Sequence, residues 1–177
     1  FKIILRKYEK IKHKIILRAE EPGYRGSRLT GVPFTSEYLL MNNMPGLNLF
    51  GEKNGYRVVK KEGRLLKEAT ATMIWQTLIK YELEALAWNA YPFHPHRPGN
   101  ARSNRTPLKG ELLQGERFLI ELLAMYKIER IIAVGNKAAE SLNRLGISYQ
   151  KVRHPAQGGK REFVEGMKRI KEKMDKK

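Results

Sequence analysis

Apolar positions along this chain recur with two alternating periods. Near the start, Ile4, Tyr8, Ile11 and Ile15 follow helical spacing among lysines, which predicts a short amphipathic helix, or the end of one, within 1–13. Lys14, Ile15, Ile16, Leu17, Arg18 and Ala19 then read as a buried strand halted by Pro22 and Gly23. A Gly- and Pro-punctuated loop runs to about Thr35, followed by a short helical stretch over 37–41. Residues 43–68 are polar, contain Asn54-Gly55, and read as an excursion or hairpin. Thr70 is placed to cap a helix whose apolar face is Met73, Ile74, Leu78 and Tyr81. A strand over 83–90 precedes an irregular loop, 91–107, rich in Pro, Gly, Asn and Arg. Thr106-Pro107 opens a helix that buries Leu112, Leu119, Leu122, Leu123 and Tyr126. Then come a strand over 131–135, a helix over 136–145 closed by Gly146, and a strand over 147–153. Phe163, Val164, Met167 and Ile170 line a last helix.

Strands alternating with helices imply parallel pairing with right-handed crossovers and helices on both faces. The expected fold is α/β: a three-layer α/β/α sandwich around a central, mainly parallel four-stranded sheet, forming one domain over 1–177. Such sheets bind ligands beyond the carboxyl ends of their strands. The least ordinary residues of the chain stand there: Glu20, Glu21, Pro22 and Gly23 after the first strand, Asn89 after the second, His154 and Pro155 after the last.

Charge narrows the partner. With 35 Lys and Arg against 18 Asp and Glu in 177 residues, the net charge is +17, which favours a polyanion, nucleic acid first and an acidic membrane surface second. Hydrophobic residues make up 41%, enough for a core and against disorder. No apolar run approaches the ~18–20 residues of a membrane span, so the expectation is a cytoplasmic protein that makes no membrane contact. The absence of cysteine excludes disulfides, thiolate nucleophiles, Cys-ligated zinc and iron–sulfur clusters. His94 and His96 have metal-like spacing but no third ligand nearby, so no metal is expected.

Three segments carry the candidate chemistry. The first is Ala19-Glu20-Glu21-Pro22-Gly23-Tyr24-Arg25-Gly26 through Thr30-Gly31-Val32-Pro33-Phe34. The second is Trp88-Asn89-Ala90 leading into 92–107, which ends Asn104-Arg105-Thr106-Pro107. The third is Arg153-His154-Pro155-Ala156-Gln157-Gly158-Gly159. In this order they resemble the uracil-DNA glycosylase superfamily. Residues 19–34 are similar both to the single-strand-selective monofunctional branch, with its TGVPF ending, and to the GEAPG motif of the iron–sulfur branch. His154-Pro155 resembles the start of the HPS motif. Ala156 stands where Ser is usual and Ala19 where the first Gly is usual, and no cysteine is present to hold a cluster. The chain is thus identified as a cluster-free, divergent member.

The resemblance implies a monofunctional glycosylase that flips uracil out of DNA and hydrolyses its N-glycosidic bond without a cofactor. Alternatives are another deaminated base such as hypoxanthine, or a DNA-binding module that has lost catalysis. Phe34 would stack on the base, with Tyr24 beside it in the same motif. The Asn89 carboxamide would donate to uracil O4 and accept from N3–H, whereas cytosine presents the opposite pattern. His154 would stabilise charge developing on O2. Either Glu20 or Glu21 would orient the water: the GEAPG likeness favours Glu20 and the monofunctional branch Glu21. Successive strand residues face opposite ways, so one of the two serves. DNA backbone contacts fall to Arg97, Asn100, Arg102, Asn104 and Arg105 in the long loop, and to Gln157, Gly158, Gly159, Lys160 and Arg161 at the last helix. The expected partner is damaged DNA and the expected state a monomer.

Overall fold

The computed structural model describes residue 9 and residues 15–19, 22–23, 25–58 and 63–176. The helix expected within 1–13 lies outside this range, as do Glu20, Glu21 and Tyr24. Four strands form one sheet: β1 (Ile15–Ala19), β2 (Ala85–Asn89), β3 (Arg130–Val134) and β4 (Gln150–Val152). Their order is β2-β1-β3-β4 and every pairing is parallel. Every β1 residue is buried, as a central strand covered on both faces requires. Six helices complete the described chain: α1 (Ser27–Thr30), α2 (Glu37–Asn42), α3 (Ala69–Lys80), α4 (Lys109–Met125), α5 (Asn136–Arg144) and α6 (Lys160–Asp175). The α/β sandwich expected from the alternating pattern is the fold observed.

The two faces of β1 show which helices cover which side. Arg18 points to the layer of α4 and α5, where its Nη2 donates to Ser141 Oγ at 2.8 Å. Ser141 Oγ donates in turn to Glu116 Oε1 at 2.8 Å, and Arg144 donates to that same oxygen at 2.6 Å. On the opposite face α3 meets α6, and Phe163 and Met167 of α6 are fully buried. Burial lowers the Arg18 guanidinium to about 10, with Glu116 opposing the shift and Arg144 adding to it, so Arg18 stays charged at neutral pH. Removing one partner from such a network strands a charge in low dielectric.

Several boundaries differ from the sequence expectation for local reasons. Glu68, not Thr70, caps α3: its carboxylate accepts from the Thr70 and Ala71 N–H groups, both at 3.1 Å. The helix expected from Thr106-Pro107 begins at Lys109, because Glu111 reaches back to accept from Leu108 N–H at 2.7 Å. The first loop contains a turn of helix, α1, ended by Gly31 in the left-handed conformation. The described part of 43–68 holds a 3-10 turn, Glu52–Asn54, and no strand. The last strand is cut from 147–153 to Gln150–Val152.

Candidate functional site

All four strands release the chain on one rim of the sheet. The register puts Ala19 beside Asn89 and Val134 beside Val152. Two further hydrogen bonds extend this order past the strands: Ala90 N–H donates to Ala19 O at 2.8 Å, and Gly135 N–H to Val152 O at 2.9 Å. Asn89 and the residues after Val152 therefore sit on opposite margins, three strand spacings or ~14 Å apart. The termini of β1 and β3 lie between them.

Asn89 is 4% exposed and lines a cavity of about 180 Å³ with Ser27, Gly31, Pro33, Trp88 and Pro92. That volume is below the ~300 Å³ at which drug-sized sites begin and suits a single ring. Among the described residues the Asn89 carboxamide has no hydrogen-bond partner. A carboxamide lining a cavity without a hydrogen bond to another described residue is open to a ligand.

Two contacts hold the chain on either side of the residues that line the cavity. Gly115 lets α4 lie against the end of β2: a Cβ there would run into Ala90 O and lie 2.9 Å from Ala90 C. Opposite, Phe34 adopts φ 53°, unusual for a residue with a Cβ, and its carbonyl accepts from Trp75 Nε1 of α3 at 2.8 Å. Thr35 Oγ1 donates to Val32 O at 2.6 Å and tightens the same turn. Pro33 faces the cavity, while Phe34 is buried in the core cluster and does not line it.

At the other margin His154 is half-buried, with its Cβ against Gly135. Its Nδ1 accepts from Ala156 N–H at 3.2 Å, which leaves the ring proton on Nε2. Burial, then the neighbouring Arg153, pushes its pKa below the ordinary 6.5, so the ring is neutral at physiological pH. A neutral imidazole with Nε2–H is a hydrogen-bond donor, suited to an oxygen that gains charge. His154 does not line the Asn89 cavity; the strand ends between them separate the two. Gly159 closes the turn after His154, since a Cβ there would collide with His154 O. Gln157 (φ 51°) and Gly158 (φ 77°) put two successive left-handed residues at its exposed tip, before the N-terminus of α6.

The long loop is ordered by its own polar groups. Arg97 N–H donates to Ser103 Oγ at 2.9 Å and Arg102 N–H to Asn100 Oδ1 at 3.1 Å. Arg105 serves as a strut: its guanidinium donates to His96 O at 3.0 Å and pairs with both Glu111 oxygens at 2.7 Å. Arg97, Asn100, Arg102, Asn104, Lys160 and Arg161 are exposed, with Arg161 3.4 Å from Glu165. His94, considered from sequence only as a metal ligand, donates from Nδ1 to Pro22 O at 2.8 Å and ties this loop to the one after β1. Among the described residues no group of three His, Cys, Asp or Glu side chains could hold a metal ion. No described helix is long and apolar enough to cross a membrane.

The sequence reasoning missed Trp75, Gly115 and His94 as parts of this site. Trp75 lies within a helical apolar stripe and Gly115 inside a helix, so neither carries a local signal. The spacing of His94 and His96 did carry one. A sequence model of the uracil DNA glycosylase superfamily matches residues 6–171. No curated protein matches the chain.

Proposed function

Because the chain belongs to the uracil-DNA glycosylase superfamily, whose members act on DNA as glycosylases, we propose that it is a monofunctional enzyme that excises uracil. The observation that carries this reading is the Asn89 carboxamide at the wall of a ring-sized cavity. Uracil would satisfy it twice, through N3–H to Oδ1 and Nδ2–H to O4. Cytosine would oppose a donor with a donor and an acceptor with an acceptor. A polar site left unpaired by the wrong ligand rejects it by up to about 10⁴-fold.

The reaction divides between the two margins of the rim. As the C1′–N1 bond breaks, its electron pair leaves with the base and charge develops on O2. The Nε2–H of His154 is the donor assigned to that oxygen. The ~14 Å between the margins is about what an Asn reach, a pyrimidine, two hydrogen bonds and a His reach together span. Water attacks C1′ and gives its proton to the carboxylate of Glu20 or Glu21, which follow Ala19 directly in sequence. No Lys lies in the core motifs to form a Schiff base, so strand nicking is not expected. On this reading the protein acts as a monomer, without cofactor, in the compartment that holds the cell's DNA.

The test is a panel of labelled oligonucleotides carrying deoxyuridine, deoxyinosine, other deaminated bases or none, single- and double-stranded, with abasic sites revealed by alkali. Cleavage at uracil supports the proposal, and cleavage confined to hypoxanthine moves the specificity. Salt-sensitive binding without turnover on any substrate would leave only a DNA-binding module. Asn89→Asp should abolish uracil excision or move preference toward cytosine while DNA affinity stays near that of the parent. Unchanged uracil excision would remove Asn89 as the reader.

A further inference from the structure

Outside the cavity, the loop leaving β2 carries aromatic rings that the fold holds in place without burying. Phe93 is 53% exposed. Its ring lies 5.5 Å from that of Tyr91 at 68° and 6.2 Å from that of Phe118 on α4 at 73°, so two edge-to-face contacts fix it. Its backbone is pinned on the next residue, where His94 binds Pro22 O. Phe118 sits seven residues, or about two turns, above Glu111, on the helix face that meets this loop. Of the exposed apolar residues of α4, Leu113 and Ile120 project about 140° and about 160° away from Phe118 by the helical repeat, while Met125 lies about 20° away, two turns further on. The ring contacts themselves join Tyr91, Phe93 and Phe118.

Position and charge point to what covers it. Pro92, one residue earlier, lines the Asn89 cavity, so Phe93 stands at its rim. One residue step is ~3.8 Å, comparable with the ~3.4 Å rise per nucleotide of a DNA strand. Arg97, Arg102 and Lys109 are exposed on the same loop and its helix, and no acidic residue occurs from Asn89 to Gly110. The nearest carboxylate, Glu111, acts on Tyr91 but is paired with Arg105, and an exposed π-face in this cationic setting suits a planar ring carried on a polyanionic chain.

We propose that Phe93 is a stacking platform for an unpaired base, that of the nucleotide next to the one entering the cavity, and that the protein therefore favours single-stranded or locally opened DNA over closed duplex. This rests on the DNA reading of the site above. The rigid support of Tyr91 and Phe118 means that little side-chain freedom is lost when a base docks. Duplex DNA keeps its bases stacked on one another and gains less from the platform.

Fluorescence anisotropy with a labelled oligonucleotide containing one abasic analogue, single-stranded or in duplex, separates the possibilities without turnover. Phe93→Leu keeps apolar bulk and loses the π-face; Phe93→Tyr and Phe93→Trp keep it. The expected result is a loss of about 5- to 100-fold in single-strand affinity for the Leu variant, a smaller loss on duplex, and near-parental binding for Tyr and Trp. Circular dichroism and melting of the Leu variant check that it folds as the parent does. Equal binding by parent and Leu variant, or equal losses on single strand and duplex, overturns the platform while leaving the glycosylase reading intact. A parent that binds neither form of DNA overturns both.

Discussion

Replacing Gly115 by Ala sets two effects against each other inside α4. Gly in a helix interior costs about 1 kcal/mol relative to Ala, so propensity alone predicts a more stable protein. The added Cβ, however, would run into Ala90 O and lie 3.1 Å from Tyr91 Cα. The atoms met are backbone at the end of β2, not the free end of a side chain, so helix or strand must move. Overpacking of this kind costs about 1–3 kcal/mol; because backbone O and C of Ala90 both lie too close, the upper part of that range, about 2–3 kcal/mol, applies, and less the propensity gain it leaves a net loss of about 1–2 kcal/mol. In a chain of this length each kcal/mol corresponds to about 2–4 °C, so Tm should fall by about 2–8 °C. Gly110 supplies the control: it is in the same helix, and a Cβ there meets nothing within 4 Å. Gly110→Ala should raise Tm by up to about 4 °C. Because Ala90 follows Asn89 and donates to Ala19 O, the clash also moves the carboxamide. Uracil excision by Gly115→Ala, assayed well below its melting point, should fall further than its stability loss explains. Thermal melts by circular dichroism decide the matter: a Gly115→Ala protein that melts at or above the parent refutes the close approach of α4 to the end of β2.

Other expectations follow from the buried ionisable groups. His154 has its pKa lowered, so its neutral form carries the proposed function: excision should be level above pH 6.5 and fall as pH drops through the depressed value. His154→Gln, which keeps a donor near Nε2, should retain more activity than His154→Ala; a rate that rises on acidification would contradict the neutral donor. The Glu68 carboxyl is raised above 4.5 by burial, against the lowering effect of its hydrogen bonds. A raised carboxyl stabilises fully below 4.5 and loses that contribution as pH rises through the folded value. Glu68→Gln should flatten this part of the stability profile in urea melts and still cap α3; an unchanged slope would assign the pH dependence elsewhere. Ser141→Ala removes the hydroxyl between Arg18 and Glu116 and should cost about 2 kcal/mol; a loss below 0.5 kcal/mol in chemical denaturation, about what a surface substitution gives, would mean the guanidinium is satisfied without it.

The layer order was legible because its signals are local. The apolar run Ile15–Leu17, the stripe Ile74–Leu78 and the pattern Phe163–Met167–Ile170 each announce an element, and alternation of the elements implies a parallel sheet. Endpoints were less legible, since they depend on side chains that reach several residues: Glu68 displaces Thr70 as cap, and Glu111 delays α4 to Lys109. Arg18 fell within a run read as a buried strand, but its partners, Ser141 and Glu116, are about a hundred or more residues away and leave no signal beside it. At the site, Asn89 was found from its place after a strand. Arg105 was expected to meet DNA but is occupied by His96 and Glu111, a pairing that composition does not disclose.

The one-sided release of the strands puts the candidate site on one rim and leaves the opposite rim at a distance from it. Ser148, exposed in the turn that feeds β4, lies on that far side. The chain has no cysteine, so Ser148→Cys would be its sole thiol, a unique anchor for a dye or a bead. A protein tethered there would present its working edge outward, ready for single-molecule observation of strand capture.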